Sequence, residues 1–301
     1  SVLTDDVFET PTDEEMKKGL TLSDQAVRNR FSELQKRSLP KRKPAPLTTN
    51  KNLSLIETGN LTDDLHLLKE VDWIIEVVVE KMDIKKKVLQ TIDQYRRSDA
   101  IVSTNTSGLS VTDMSSHCTR PFQEHFLGTH FFNPPRYLHL LEVIPTKHTD
   151  PKITQFMKKF GEEVLGKGVV IAKDTPNFIA NRIGTYGLLV TIQGMLKAQL
   201  TVGEVDSLTG PLIGRPKSAT FRTLDLVGID TFMHVASNMY DAVDGQERAV
   251  FNVPAFMKEM VDKGWLGKKT KKGFYEKTKT NGRSIIKALN VEPMTFEART
   301  P

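Results

Sequence analysis

The chain has 301 residues, enough for two domains that each bury a core, and its 38% hydrophobic and 26% charged residues are typical of a soluble globular protein. The net charge of +5 is compatible with anionic small molecules, membrane surfaces or nucleic acid and selects none of them. A single cysteine, Cys118, excludes an intrachain disulfide, and neither a leader peptide nor an apolar run of about 18 residues is present, so we expect a cytoplasmic protein.

Up to about residue 173, short apolar runs alternate with longer charged runs of helical periodicity, which predicts a parallel sheet with crossover helices. The strand candidates, in chain order, are VLTDD, LSLIE, DWIIEVVVE, AIVSTNTS and KGVVIAKD. Helical segments lie between them, and the first begins at a capping box formed by Thr12 and Glu15. DWIIEVVVE, residues 72–80, is the strongest strand signal, because nearly continuous β-branched residues are typical of a strand covered on both faces.

The composition changes after Asp174. TPNFIANRIGTYGLLVTIQGMLKAQL has apolar residues at helical spacing and includes no strand run, and the later segments have the same character. We therefore place a domain boundary near residue 173. Residues 1–173 are expected to form an α/β domain with a mostly parallel sheet, and residues 174–301 an all-α domain.

GTHFFNPPRYLHLLEVIP, residues 128–145, places a histidine and a carboxylate within two strand-like runs. His130 and Glu142 are equally far from Arg136, so they face each other if NPPRY is the tip of an antiparallel hairpin. In that geometry the carboxylate holds one ring nitrogen, leaves the other able to take a proton, and stabilises the imidazolium. The spacing alone is also compatible with a purely structural hydrogen bond in a polar corner.

A second polar cluster, STNTSG at residues 103–108, ends a predicted parallel strand. Ligands of open α/β sheets bind outside the carboxyl ends of such strands, so Ser107 is a candidate to hold a substrate oxygen. Asn181 lies just beyond the domain boundary, where it can close a cleft over the first domain. Considered singly, Ser107 and Ser110 are more often turn or helix-cap residues, and an asparagine is more often a surface or cap residue.

Several separated segments carry a family resemblance: IIEVVVE followed by Lys85, STNTSG, THFFNPP with Glu142, KDTPNFIANR, LDLVGIDT and GWLGKKTKKGFY. In this order they resemble the 3-hydroxyacyl-CoA dehydrogenase family of fatty-acid β-oxidation, over nearly the whole chain. The sequence is most similar to the dehydrogenase segment of bacterial bifunctional proteins that also contain an enoyl-CoA hydratase. NVEPMTFEARTP is then a linker toward the rest of such a protein.

The resemblance implies that the protein oxidises (S)-3-hydroxyacyl-CoA to 3-oxoacyl-CoA with NAD. It implies that His130 is the general base, that Glu142 orients it, and that Ser107 and Asn181 bind the substrate's 3-oxygen and thioester region. One base and a positioned hydride acceptor meet the needs of alcohol oxidation. The positions that match the family's cofactor contacts are Glu80, Lys85, Ser107, Asn133 and Lys269.

The glycine-rich phosphate turn of a dinucleotide-binding domain is absent from the sequence, since GKG at 166–168 lacks a third glycine and precedes a strand. If VLTDD corresponds to the family's second strand, Asp6 binds the adenine ribose and favours NAD over NADP. The chain also begins at Ser1 rather than Met. We therefore expect a truncated Rossmann-like domain without its first βα unit, and weak or no NAD binding by this fragment.

Expectations about partners rest mainly on the resemblance. Relatives contact CoA along the helix after Asp6, which here carries basic residues that are mostly expected to be solvated: Lys17, Lys18, Arg28, Arg30, Lys36 and Arg37. The family implies a homodimer through the helical domain. Because no aromatic platform or helix-turn-helix accompanies the charge, we expect no nucleic-acid partner, and we expect no metal site.

The sequence departs from the family at two further places. Asn177 stands where relatives usually have glycine, so the backbone between the domains is expected to be constrained differently. GRPKSATFR replaces a more apolar stretch in the second domain.

Two alternative functions stay open on the sequence alone. The first is a non-catalytic module that binds acyl-CoA or assembles a multifunctional protein. Retention of Ser107, His130, Glu142 and Asn181 favours an enzyme, since a binding module has no need for this set. The second alternative is a dehydrogenase for a free 3-hydroxy acid without CoA.

Overall fold

The computed structural model describes residues 2–4, 10–280 and 283–298. The chain divides into two compact units, with the boundary between Asp174 and Thr175. The boundary predicted from the sequence lies one residue earlier, after residue 173. Within the described residues, no helix is both long and apolar enough to cross a lipid bilayer.

Within its described residues, the first unit contains a five-stranded sheet, a separate pair of strands and seven α-helices. Its strands are β1 (Val2–Thr4), β2 (Thr58–Asn60), β3 (Trp73–Glu76), β4 (Ile101–Thr104), β5 (Phe126–Phe131), β6 (Leu140–Pro145) and β7 (Gly168–Ile171). Its helices are α1 (Asp13–Lys17), α2 (Gln25–Arg28), α3 (Arg30–Ser38), α4 (Met82–Tyr95), α5 (Val111–Met114), α6 (Arg120–Glu124) and α7 (Pro151–Glu163).

Strands β3 to β7 form a five-stranded sheet in sequential order. Neighbouring strands are parallel, except that β6 runs antiparallel to β5. Strands β1 and β2 form a separate parallel pair. The expected α/β fold with a mostly parallel central sheet is therefore confirmed.

Helix α7 shows how the sheet is covered. Pro151 begins this helix and the Asp150 side chain accepts a hydrogen bond from the Lys152 backbone N–H, which satisfies one free donor of the first turn. The helix packs on β6 and β7 and buries Met157 against sheet residues. A Cβ on Gly161 would lie 2.7 Å from Val169 Cγ2, so only glycine permits this close approach.

Two strand predictions in this unit need correction. LSLIE lies mainly in a 3₁₀ helix, Asn50–Leu55, and the strand follows it at β2. Leu55 is 80% exposed, so its apolar side chain does not signal a buried strand. The strand predicted over residues 72–80 ends at Glu76, because the Glu76 side chain accepts the Val78 N–H and the chain leaves the sheet.

The second unit is mainly helical. Its helices are α8 (Ala180–Ala198), α9 (Val202–Leu208), α10 (Phe221–Val227), α11 (Ile229–Ala242), α12 (Gln246–Val250) and α13 (Ala255–Asp262). It also contains an antiparallel sheet of β8 (Tyr275–Thr280), β9 (Arg283–Asn290) and β10 (Thr295–Ala298). The expectation of an all-α domain missed this sheet, whose short strands follow the helical segments directly and pack Leu289 into the helical core.

Two residues near the start of the second unit have a left-handed backbone conformation. Asn177 and Phe178 have φ angles of 57° and 49°. Asparagine tolerates this region, and the Asn177 amide donates to the Val235 carbonyl at 3.4 Å. Phe178 is only 3% exposed, so packing of its ring offsets the backbone strain. That the backbone at Asn177 is constrained differently from that of relatives with glycine stays a prediction.

Cys118 lies in the connection between α5 and α6. Burial, with a smaller contribution from the Asp93 carboxylate, raises the pKa of this thiol to about 12. Asp93 is held in place by the backbone N–H and the hydroxyl of Thr119, at 2.7 and 2.9 Å. The thiolate form is therefore negligible at neutral pH.

Two carboxylates connect the helices of the second unit to β8. Asp206 accepts the Phe221 N–H at 2.7 Å and the Tyr275 hydroxyl at 2.8 Å. Asp225 accepts the backbone N–H groups of Phe274 and Tyr275 at 2.7 and 3.0 Å. Burial raises the pKa of Asp225 to about 6, since loss of hydration outweighs the two hydrogen bonds that lower it.

This raised pKa predicts a pH dependence of stability. Asp225 binds its proton more tightly in the folded than in the unfolded state. Its contribution to the free energy of unfolding is therefore present below about pH 4 and is lost as the pH rises through about 6. Relative to Asp225→Asn, the wild type should lose about 2 to 3 kcal/mol of unfolding free energy between pH 4 and 7.5. Urea unfolding followed by Trp265 fluorescence in a Trp73→Phe background measures it.

The matched control is Asp241→Asn, which changes an exposed aspartate of the same unit. Its stability relative to the wild type should not vary over this pH range. A pH-independent difference between wild type and Asp225→Asn would contradict the assignment.

Candidate active site

The antiparallel pair β5–β6 brings a histidine and a glutamate together inside the sheet. His130 is directly opposite Glu142 in the register, as their equal distance from Arg136 predicts. The His130 Nδ1 and Glu142 Oε2 atoms are 2.6 Å apart. The two residues are 4% and 0% exposed, so the hydrogen bond forms away from bulk water.

This pairing sets what the imidazole can do. A carboxylate at Nδ1 accepts a hydrogen bond from the N–H of that nitrogen, so Nε2 keeps its lone pair and can accept a proton from a ligand. Glu142 then stabilises the resulting imidazolium. The ring of Phe132 lies 4.4 Å from the imidazole, measured between centroids, and restricts how the imidazole can turn.

Asn105 links the end of β4 to the strand that carries His130. Its side-chain oxygen accepts the Phe131 N–H at 2.9 Å, and its own N–H donates to the Glu76 carbonyl at 2.9 Å. Asn105 is not among the site residues predicted from the sequence. Its place directly after β4, at the carboxyl edge of the sheet, is the signal that could have identified it.

A buried charge cluster lies at the carboxyl ends of β3 and β4. Lys85, from α4, is 1% exposed and its Nζ lies 2.9 and 3.1 Å from the two Glu76 carboxylate oxygens. Glu80 also reaches Lys85, at 3.2 Å, and accepts hydrogen bonds from the Thr106 hydroxyl and the Ser107 N–H. The structure thus joins Glu80, Lys85 and Ser107 in one network.

Asp174 is a further residue that sequence reasoning missed. Its carboxylate accepts the backbone N–H groups of Val111 and Thr112 at 2.9 and 2.8 Å, and the Ser110 hydroxyl at 3.3 Å. It therefore fixes the start of α5, just after the loop of Ser107. The position of Asp174 after β7 indicates this role only when the order of the strands is known. The hydrogen-bonded residues are more than sixty positions apart in the sequence.

The other site residues predicted from the sequence each have their own surroundings. Asn133 is exposed in the hairpin tip, and Asn181 lies on the first turn of α8 in the second unit. Lys269, also in the second unit, donates to both carboxylate oxygens of Asp230 at 2.6 Å, and this hydrogen bond lowers the pKa of Asp230. Asp6 lies outside the described residues.

Family models match most of the chain. A model described as "3-hydroxyacyl-CoA dehydrogenase, NAD binding domain" matches residues 15–175. A second, described as "3-hydroxyacyl-CoA dehydrogenase, C-terminal domain", matches residues 178–277.

Curated relatives carry the same name. A "Probable 3-hydroxyacyl-CoA dehydrogenase" of Bacillus subtilis (strain 168) is 60% identical over 289 residues, which are 96% of this chain and 36% of that protein. One from Deinococcus radiodurans is 45% identical over 260 residues, 86% of this chain and 75% of that protein. The chain thus spans little more than a third of the Bacillus relative.

Solved structures share the fold. The crystal structure of M. tuberculosis FadB2 has a TM-score of 0.68 and 30% identity, covering 83% of this chain and 85% of that one. The (S)-3-hydroxybutyryl-CoA dehydrogenase PaaH1 from Ralstonia eutropha has a TM-score of 0.66 and 26% identity, covering 87% and 86%.

The His130–Glu142 geometry makes a spectroscopic prediction. Because Glu142 accepts at Nδ1, neutral His130 should be the Nδ1–H tautomer, and Glu142→Ala should abolish this preference. Long-range ¹H–¹⁵N spectra of histidine-labelled protein distinguish the two tautomers.

The exposed His117 serves as the internal control, since its signals should be the same in both proteins. An Nε2–H tautomer of His130 in the wild type would be incompatible with the role assigned to Glu142.

Proposed function

The chain belongs to the 3-hydroxyacyl-CoA dehydrogenase family, and we propose that it oxidises the 3-hydroxyl of (S)-3-hydroxyacyl-CoA to a ketone in fatty-acid oxidation. The observation that carries the proposal is the buried 2.6 Å hydrogen bond between His130 and Glu142. A general base that acts on an alcohol needs a held tautomer and a counter-charge for the protonated ring, and Glu142 provides both.

In this proposal, His130 Nε2 takes the proton of the 3-hydroxyl. The positive charge that develops on the imidazole is balanced by Glu142, which keeps its own negative charge. NAD, when bound, supplies the acceptor for the hydride that leaves C3. Ser107 and Asn181 hydrogen-bond the substrate's 3-oxygen and thioester region, so that C3 is held in one orientation.

The residues at the carboxyl ends of β3 and β4 fit part of a dinucleotide. Glu80 has a side chain that is 41% exposed, Ser107 is exposed, and Asn133 is exposed on the hairpin tip, so polar groups face solvent where a ribose and nicotinamide would bind. From the resemblance, Lys269 and Asp6 are also assigned to the cofactor. No glycine-rich turn in this sequence offers backbone N–H groups to the pyrophosphate.

We infer that a further strand and glycine-rich turn, from residues outside this sequence, complete the first unit. Two observations support this: β1 and β2 pair apart from the five-stranded sheet, and Ile75 and Val77 on or beside β3 are 40% and 67% exposed. Strand β3 is the terminal strand of the five-stranded sheet, and an apolar edge strand of this kind is suited to pair with a further strand.

The same protein is proposed to be longer and to contain an enoyl-CoA hydratase part. The Bacillus relative, of which this chain spans 36%, leaves room for further domains. A relative from Rickettsia felis, 32% identical over 273 residues, is described as a "Putative fatty acid oxidation complex trifunctional enzyme". We propose a cytoplasmic location for the protein.

A homodimer through the second unit is part of the proposal. Helix α8 exposes Ile183, Tyr186 and Val190, which are 67%, 42% and 42% exposed. Gly187 and Gly194 lie on the same helix with open space at their missing Cβ atoms. A long apolar face that includes glycines allows another helix to approach closely.

Substitution of the base tests the mechanism. In the complete protein, His130→Gln should lower turnover by about 10² to 10⁴-fold, the usual size of a general-base contribution, and should leave NADH affinity unchanged. Glu142→Gln should also be slow, because the imidazolium then lacks its counter-charge.

The control is His139→Gln, which changes an exposed histidine of the same hairpin and should retain full turnover. Unchanged turnover in His130→Gln would remove His130 from the mechanism. Equal rates with acetoacetyl-CoA and acetoacetate would instead indicate a dehydrogenase of free hydroxy acids.

Cofactor binding by the chain of residues 1–301 tests the proposed completion of the first unit. Without a phosphate turn, this chain should bind NADH only weakly, in contrast to the complete protein. Fluorescence titration measures both affinities, and a micromolar dissociation constant for the shorter chain would contradict the proposal.

A further inference from the structure

The first turn of α8 carries Asn181 but begins at an apolar residue. Its N-cap is Ile179, whose side chain cannot accept a hydrogen bond from the N–H groups of the first turn. The two residues before it, Asn177 and Phe178, have a left-handed backbone conformation. The place of Asn181 is therefore set by the contacts that this turn makes with other helices of the second unit.

Arg182, the residue after Asn181, makes a two-point ion pair with Glu247 of α12. Its Nε donates to Oε1 at 3.0 Å and its Nη2 donates to Oε2 at 2.6 Å. Two parallel hydrogen bonds between planar groups fix their orientation as well as their distance. The side chains are 32% and 38% exposed, so the pair is partly shielded from water. The first turn of α8 is thereby tied to α12.

Helix α12 is a firm support for this ion pair. Phe251 follows the helix directly and is fully buried in the core of the second unit. The Tyr186 ring packs edge-on against Phe251, with 6.1 Å between centroids. Further along α8, the Gln193 amide donates to the Val250 carbonyl at 3.2 Å. The segment that carries Glu247 is thus attached to α8 along most of the length of that helix.

We propose that Glu247 is a positioning residue: through Arg182 it holds the first turn of α8, and with it the Asn181 side chain, without touching substrate or cofactor. The inference rests on the proposed function, in which Asn181 binds the substrate. Asn181 and Arg182 are neighbours in one helical turn, so a movement that breaks the ion pair also displaces Asn181. Small displacements of a substrate-binding group are costly for turnover.

The expected effect is local rather than global. A partly exposed ion pair contributes little to the stability of a whole domain. When Glu247 is removed, water can solvate the half-exposed Arg182 guanidinium, so Glu247→Ala should fold normally. The midpoint of its urea unfolding should stay close to that of the wild type, while the order of the first turn of α8 decreases.

The first experiment measures this turn and does not depend on activity. The Ile183 N–H donates to the Ile179 carbonyl at 2.9 Å and closes the first turn of α8. Amide hydrogen exchange of Ile183 should become about fivefold faster or more in Glu247→Ala, because the turn then opens more often. Exchange within about twofold of the wild type would show that Glu247 does not hold the turn.

The matched control is Glu259→Ala. Glu259 lies on α13 of the same unit and forms an ion pair with Lys263 at 2.7 Å, with similarly exposed side chains. Its loss should leave exchange at Ile183 and turnover unchanged.

Kinetics of the complete protein then test whether the effect passes through Asn181. Glu247→Ala should lower kcat by about fivefold or more and leave the NADH dissociation constant within about twofold, since neither residue of the pair is assigned to the cofactor. In an Asn181→Ala background, the same substitution should lower kcat no further. A further fivefold loss in that background, or weaker NADH binding with normal kcat, would overturn the proposal.

Failure of the proposed function gives a different result. In that case the unmodified complete protein does not oxidise 3-hydroxyacyl-CoA, and exchange at Ile183 still decides whether Glu247 holds the first turn of α8.

Discussion

The change of strand direction between β5 and β6, in a sheet whose other neighbouring strands are parallel, is the constraint on which the candidate active site depends. In an antiparallel pair, directly opposed residues bring their side chains together on one face, and here the register opposes His130 and Glu142. A shift of one residue would send one of them to the other face. Neither group is stable alone in this interior, since a buried carboxylate without a partner is costly. Register and pairing therefore reinforce each other.

The sequence predicted features that follow from local spacing. The opposition of His130 and Glu142 needed only a count of residues to the hairpin tip, and the capping box of Thr12 and Glu15 is present in α1. LSLIE was wrongly predicted to be a strand because an apolar run can be exposed, and the Leu55 side chain is 80% exposed. The early end of β3 was missed because the Glu76 side chain competes for backbone donors, which strand propensity does not include.

The partners of Asn105 and Asp174 were beyond sequence reasoning for a different reason. Each side chain binds backbone of a segment far away along the chain, so its role exists only after the sheet has formed. Asp206 and Asp225 act in the same way in the second unit. Asp206 accepts the backbone N–H of Phe221, and Asp225 accepts that of Phe274. In both units, loops are held by side-chain acceptors that satisfy otherwise unpaired donors.

The protonated state of Cys118 has a practical consequence for work on this protein. A thiol with a pKa of about 12 reacts slowly with maleimides and peroxides, because those reagents attack the thiolate. The chain has no other cysteine. A new cysteine introduced at an exposed position could therefore carry a fluorophore or spin label with little background, and the natural residue would not have to be replaced first.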